Sequence, residues 1–102
     1  MTYTVVAQTQ AVADSEAIRE YLATFDPDHA ERWINQLDAV FARLAEFPNR
    51  FPLAPESRGS TFAIRQTTVG KYRLLFAVLG TTVRVLRIRH SAQAPLDPKD
   101  LN

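Results

Sequence analysis

Apolar and polar positions change rhythm along the chain. Thr2 to Gln8 (TYTVVAQ) is a short β-prone run in which Tyr3 and Val5 alternate against Thr4 and Val6, the period-2 spacing of a half-buried strand. From Thr9 the spacing lengthens. Ala11, Ser15, Ile18, Leu22 and Phe25 recur at helical intervals with Tyr21 beside them, while Asp14, Glu16, Arg19 and Glu20 fall mostly on the other side. Thr9 is placed to cap this helix, which runs to about Thr24. Asp26-Pro27-Asp28 then starts a second helix: Asp26 caps, Pro27 fits the first helical position, and Asp28 lies at the positive end of the dipole. Its apolar stripe is Ala30, Trp33, Ile34, Leu37, Val40, Phe41, Leu44 and Phe47, so it extends to about Glu46 before Pro48 stops it. The short link between the helices predicts an antiparallel hairpin.

Asn49 to Ser60 holds Pro52, Pro55 and Gly59 and reads as an ordered connecting loop, with Phe51 and Leu53 tucked against the helices. Thr61 to Ser91 returns to period 2. Three runs rich in Val, Ile, Leu and Phe are divided by turns at Val69-Gly70 and Gly80-Thr81, the pattern of an antiparallel meander. In its middle strand Tyr72, Leu74, Phe76 and Val78 oppose Arg73, Leu75, Ala77 and Leu79; in the last, Leu86 and Ile88 oppose Val83, Val85, Arg87 and Arg89. The N-terminal strand needs a partner and finds it beside this meander. The expected fold is therefore α+β, in the order βααβββ, with a helical hairpin on one face of a small, mainly antiparallel sheet. Residues 1–102 form one domain, and 92–102, with two prolines, form a loose or weakly docked tail.

The charge changes this picture. A net charge of +1 conceals a split: 4 basic and 9 acidic residues over Met1–Glu56 (−5), 7 basic and none acidic over Ser57–Leu96 (+7), and one basic against two acidic in the tail (−1). Arg65, Lys71, Arg73, Arg84, Arg87 and Arg89 interleave with the apolar strand residues and His90 ends the run. Such a surface is made to meet something acidic, or is neutralised from elsewhere. Taken singly, Arg73 fits a structural ion pair as well as an active role, and His90 fits a strand-end residue. The composition, 46% hydrophobic and 23% charged, suits an ordinary soluble domain. No apolar run reaches the roughly 20 residues of a membrane span. With no cysteine and only His29 and His90, no metal site and no cofactor are expected, and a reducing cytoplasm is the natural setting.

An ordered set of short motifs carries a resemblance. Tyr21-Leu22 lies late in the first helix and Leu44-Ala45-Glu46-Phe47-Pro48 closes the second. Ile64-Arg65, Gly70-Lys71-Tyr72-Arg73-Leu74-Leu75-Phe76 and Val85-Leu86-Arg87-Ile88-Arg89-His90 follow. In this order the chain resembles the RelE/ParE superfamily of small toxins from bacterial type II toxin–antitoxin modules. The resemblance implies a βααβββ toxin bound by a cognate antitoxin in a hetero-oligomer, growth-inhibiting when released. RelE-like members cleave messenger RNA on the ribosome without a metal; ParE-like members inhibit DNA gyrase.

Cleavage by a 2′-hydroxyl needs a base, an acid and cations for the pentavalent phosphate. On that reading Arg65, Lys71, Arg73 and His90 are the candidates. Arg73 matches the arginine of the RelE-like Gly-x-Tyr-Arg segment. The second arginine of that pattern is replaced by His90-Ser91-Ala92, and Gln93 to Asn102 holds no tyrosine. These departures favour the ParE-like branch, with Arg65, Arg73, Arg84, Arg87 and Arg89 as a binding surface for target or antitoxin. A third reading is a non-toxic derived binding module.

Overall fold

A computed structural model describes residues 2–101. Its elements are β1 (Thr4–Ala7), α1 (Thr9–Ala23), α2 (Pro27–Leu44), β2 (Arg65–Val69), β3 (Tyr72–Leu79) and β4 (Thr82–His90), with single 3-10 turns at Pro48–Arg50, Pro55–Ser57 and Pro98–Leu101. The sheet order is β1-β4-β3-β2, with β1 parallel to β4 and the rest antiparallel. This is the expected βααβββ arrangement.

The helix starts differ. At α2, Asp26 is the cap and its Oδ1 accepts from the Asp28 N–H at 3.0 Å. At α1, Thr9 is already the first helical residue, and Gln8 holds the cap position without a side-chain bond. The backbone N–H of Gln8 instead donates to Val85 O, so α1 leaves directly from the strand pairing. The second helix ends at Leu44, short of Glu46. Phe47 therefore leaves the helical stripe, and 52% of it is exposed. The Arg50 guanidinium covers its ring at 4.4 Å. Phe25 and Leu53 also lie at the surface, 72% and 55% exposed, against their expected places in the core. Phe51 does pack on the core, edge-to-face with Phe76.

A β-bulge separates the strand faces from simple alternation. Phe76 pairs with Val85 but Leu75 pairs with Arg87, so Leu86 is the extra residue. A bulge puts two residues of one strand opposite one of its neighbour. Ile88 thereby joins Val83 and Val85 on the helix side, while Leu86 joins Leu75 and Ala77 on the far side. The expected pairing of Leu86 with Ile88 on one face is thus corrected by a single inserted residue.

Two cores result. The larger lies between hairpin and sheet and is centred on Trp33, Leu44, Leu74 and Phe76. The smaller lies beneath the sheet, where Leu75, Ala77 and Leu86 meet Ala54, Ile64 and Leu101. The connecting loop and the tail supply its floor. Ser91 to Pro95 is exposed, but Leu101 is buried and Leu96 packs against the same cluster. The tail, expected to be loose or weakly docked, docks through these two leucines, whose burial removes apolar area from water.

Candidate functional site

The register sorts the candidate residues by face, because directly paired residues on neighbouring strands point the same way. Arg73 pairs with Arg89 and Ala77 with Arg84, which places these arginines on the far side of the sheet with Leu75 and Ala77. Arg65 pairs with Phe76, and His90 with Tyr72, on the helix side. Lys71 sits in the turn between β2 and β3. The four residues of the nuclease reading are therefore split between two faces.

Three arginines are also already engaged. Arg73 grips Glu56 through both nitrogens, Nη2 to Oε2 at 2.7 Å and Nη1 to Oε1 at 3.1 Å, and Nη1 also donates to Gln66 Oε1 at 2.8 Å. The Glu56 side chain is fully buried and that of Arg73 is 12% exposed. Glu56 Oε2 accepts from the Leu96 N–H as well, which ties the loop, the sheet and the tail to one carboxylate. Arg87 holds Asp14 in a second two-point pair, Nε to Oδ2 at 2.7 Å and Nη2 to Oδ1 at 3.1 Å. Arg65 donates to the carbonyl of Phe51 at 2.7 Å. The neutralising acids come from outside the acid-free segment, so the sheet carries less free charge than its sequence suggests. Arg84, Arg89 and Lys71 make no ion pair among the described residues.

Asp14 has a second role. The β1 pairing with β4 ends at Val85, so the next stretch of the β4 edge has no strand beside it. Asp14 Oδ2 accepts the Ile88 N–H there at 3.0 Å, and Gln93 Oε1 accepts the His90 N–H at 3.1 Å. Side chains thus close an edge that would otherwise offer itself to another chain. Asp14 and Glu56 are absent from the candidates read from sequence. For Asp14 a signal exists: it lies at helical spacing between Ala11 and Ile18, both buried. Glu56, beside Pro55 in a loop, carries none.

The charge states follow from these contacts. Burial pushes the Glu56 carboxyl up, but hydrogen bonds from Arg73, from the Leu96 N–H and from its own backbone outweigh it and hold the group below the ordinary carboxylate range. The hydrogen bond to Asp14 raises the Arg87 guanidinium further, against the effect of burial. A carboxylate whose folded value is depressed stabilises the fold above its unfolded value, and the contribution is lost as pH falls through the folded one. The stability gap between the native chain and Glu56→Gln is expected to be constant from about pH 7 to about pH 5 and to shrink below about pH 4. Urea midpoints across that range check it; a gap that persists at the acid end contradicts it.

An open groove of about 730 Å³ runs along the edge of the sheet between α1 and the end of β4, lined by Tyr21, Tyr72 and His90 from the helix side, by the Asp14–Arg87 pair, and by Arg89 from the far face. His90 is fixed at its mouth. Its ring lies edge-to-face with Tyr72 at 5.3 Å, and its Nδ1 accepts the Ala92 N–H at 3.0 Å. Trp33 supports the other side, donating from Nε1 to Val69 O at 3.1 Å and meeting the Tyr72 ring edge-to-face at 5.6 Å. Gly70, with φ +60, makes the adjoining turn in a conformation that side-chain-bearing residues avoid.

Comparison with known proteins agrees with this architecture. Residues 5–95 match the family model described as the ParE toxin of the type II toxin–antitoxin system parDE. A relative from Caulobacter vibrioides, Toxin RelE2, is 36% identical over 90 residues, covering 87% of this chain and 96% of its own. Among solved structures, the chromosomal ParDE system of P. aeruginosa superposes with a TM-score of 0.72 at 20% identity, covering 87% of this chain and 96% of that one. The RelBE2 toxin–antitoxin complex of Mycobacterium tuberculosis gives a TM-score of 0.59 at 28% identity, covering 88% and 99%. No described helix is long and apolar enough to cross a membrane.

Proposed function

The chain belongs to the ParE toxin family of type II toxin–antitoxin systems, and from that premise we propose that it arrests growth by binding a protein target, DNA gyrase, in the cytoplasm. A cognate antitoxin segment, acidic or amphipathic, covers it in a toxin–antitoxin hetero-oligomer and holds it inactive. One observation carries the choice of binding over cleavage: the two arginines that an RNA-cleaving site would use, Arg65 and Arg73, lie on opposite faces, and each is committed to a fixed partner. Stabilising a phosphorane needs cations converging on one point, free to turn toward it. Arg73, gripped by buried Glu56, is not free to do so.

The name of the Caulobacter relative, Toxin RelE2, supports a second reading, a ribosome-dependent endoribonuclease. In that case Lys71 and His90, which line one groove, carry the chemistry. Induction of the chain alone in a bacterial host separates the two. A fall in DNA synthesis within minutes, ahead of any fall in protein synthesis, is the expected result. Immediate loss of protein synthesis with fragmented messenger RNA would overturn the gyrase reading.

A further inference from the structure

The end of α1 exposes two aromatic rings that the fold does not use. Tyr21 and Phe25 are 58% and 72% exposed and meet edge-to-face at 5.1 Å. Single exposed apolar residues are ordinary, but adjacent large aromatics at the surface of a small domain mark contact sites. Across the groove stand Tyr72 and His90, locked to each other and, through Tyr72, to buried Trp33. A rigid aromatic wall therefore faces a solvent-exposed aromatic pair.

The charge at this groove has one sign. Two adjoining openings that share Tyr21, Tyr72 and His90 make up this groove; with Asp14 consumed by Arg87, their remaining basic lining residues are Lys71 and His29 in one, Arg89 in the other, and the shared His90. Nearby Asp26 accepts from the Asp28 N–H and lies 3.8 Å from Arg32. Aromatic residues and arginine are enriched at the centres of protein interfaces. The adjoining β4 edge is closed by the side chains of Asp14 and Gln93, so an occupant cannot dock there by adding a strand. It must engage through its side chains.

We propose that the groove framed by Tyr21, Phe25, Tyr72, Lys71, Arg89 and His90 grips an acidic segment of the target protein that carries an aromatic or aliphatic anchor. The proposal rests on the protein-binding reading above and locates its contact surface. The anchor inserts between the exposed pair and the Tyr72 wall, and flanking carboxylates meet Lys71 and Arg89.

The test uses the full chain, purified DNA gyrase, one double variant and one single control. Phe25→Ser with Lys71→Glu changes two exposed positions, and thermal melting confirms that the fold is kept. Arg58→Glu makes the same charge change at an exposed site outside the groove. The expected result is a loss of about 30-fold or more in gyrase affinity for the double variant, the effect of removing an interface hot spot. Arg58→Glu stays near the native value. Equal binding by the native chain and the double variant overturns the groove while leaving the gyrase reading intact. If the native chain does not bind gyrase, that reading fails, and growth arrest decides the groove. Arrest abolished in the folded double variant, with messenger RNA intact in cells arrested by the native chain, supports it; arrest unchanged, or arrest by the native chain with fragmented messenger RNA, overturns it. A single-stranded RNA oligonucleotide that binds the native chain but not the double variant overturns the acidic protein segment as occupant.

Discussion

Arg73→Ala is expected to cost about 3–5 kcal/mol of stability, because it leaves the carboxylate of Glu56 charged, fully buried and without its main partner. An exposed ion pair would cost about 0–1 kcal/mol, so the magnitude distinguishes a structural arginine from a solvated one. Small domains have only about 5–15 kcal/mol in total, so the variant is driven toward its unfolding threshold. Urea unfolding of the native chain and Arg73→Ala measures the difference; a change below about 1 kcal/mol contradicts the role given to the pair. Loss of toxicity in Arg73→Ala is then a consequence of lost structure and says nothing about catalysis. Replacing both partners, Glu56→Gln with Arg73→Met, removes the stranded charge and leaves an amide oxygen in place of the carboxylate to accept from the Leu96 N–H. The cost of this pair of changes is expected to fall to about 1–2 kcal/mol, since a buried ion pair exchanged for matched neutral groups is near neutral.

Trp33→Ala is the second large effect, about 3–5 kcal/mol. Trp33 is 2% exposed and joins α2 to the β2–β3 turn by packing and by its hydrogen bond to Val69 O. Truncation opens a cavity behind Tyr72 and removes one donor from the Val69 carbonyl. Trp33→Phe retains most of the ring volume and loses the N–H, so about 1–3 kcal/mol is expected. Thermal or urea melting of both variants orders them; a Trp33→Ala cost under about 1 kcal/mol would show that the core relaxes around the gap. The change also frees Tyr72 and the Gly70–Lys71 turn, so binding through the groove should weaken even under conditions where the variant remains folded.

The periodic parts of this fold are legible in the sequence. The stripe from Ala30 to Leu44 specifies α2, and Asp26-Pro27-Asp28 specifies its start, because both are local signals. The meander of β2, β3 and β4 follows from two turns, and the need of β1 for a partner places it beside that meander without choosing the edge. Four features are not legible, each for a physical reason. The bulge at Leu86 breaks a period-2 pattern by one residue, and an apolar run reads equally well in either register. Phe25 fits the α1 stripe, but α1 ends at Ala23 and the side chain turns outward. Leu101 reads as part of a loose or weakly docked tail because its partners, Leu75, Ala77 and Leu86, lie far away in sequence. The basic sheet reads as unbalanced because Asp14 and Glu56 are 73 and 17 residues from the arginines they neutralise. Arg65, Arg73 and Arg87 are thus set by the fold, whereas Lys71, Arg89 and His90 stay accessible beside exposed aromatics.

The most direct measurement is the toxicity of the paired variant, Glu56→Gln with Arg73→Met, expressed without antitoxin and shown to be folded. Growth arrest equal to that of the native chain, with messenger RNA intact, is the predicted result. A folded paired variant that no longer arrests growth would show that Arg73 acts on the target itself and would contradict a structural role for that arginine.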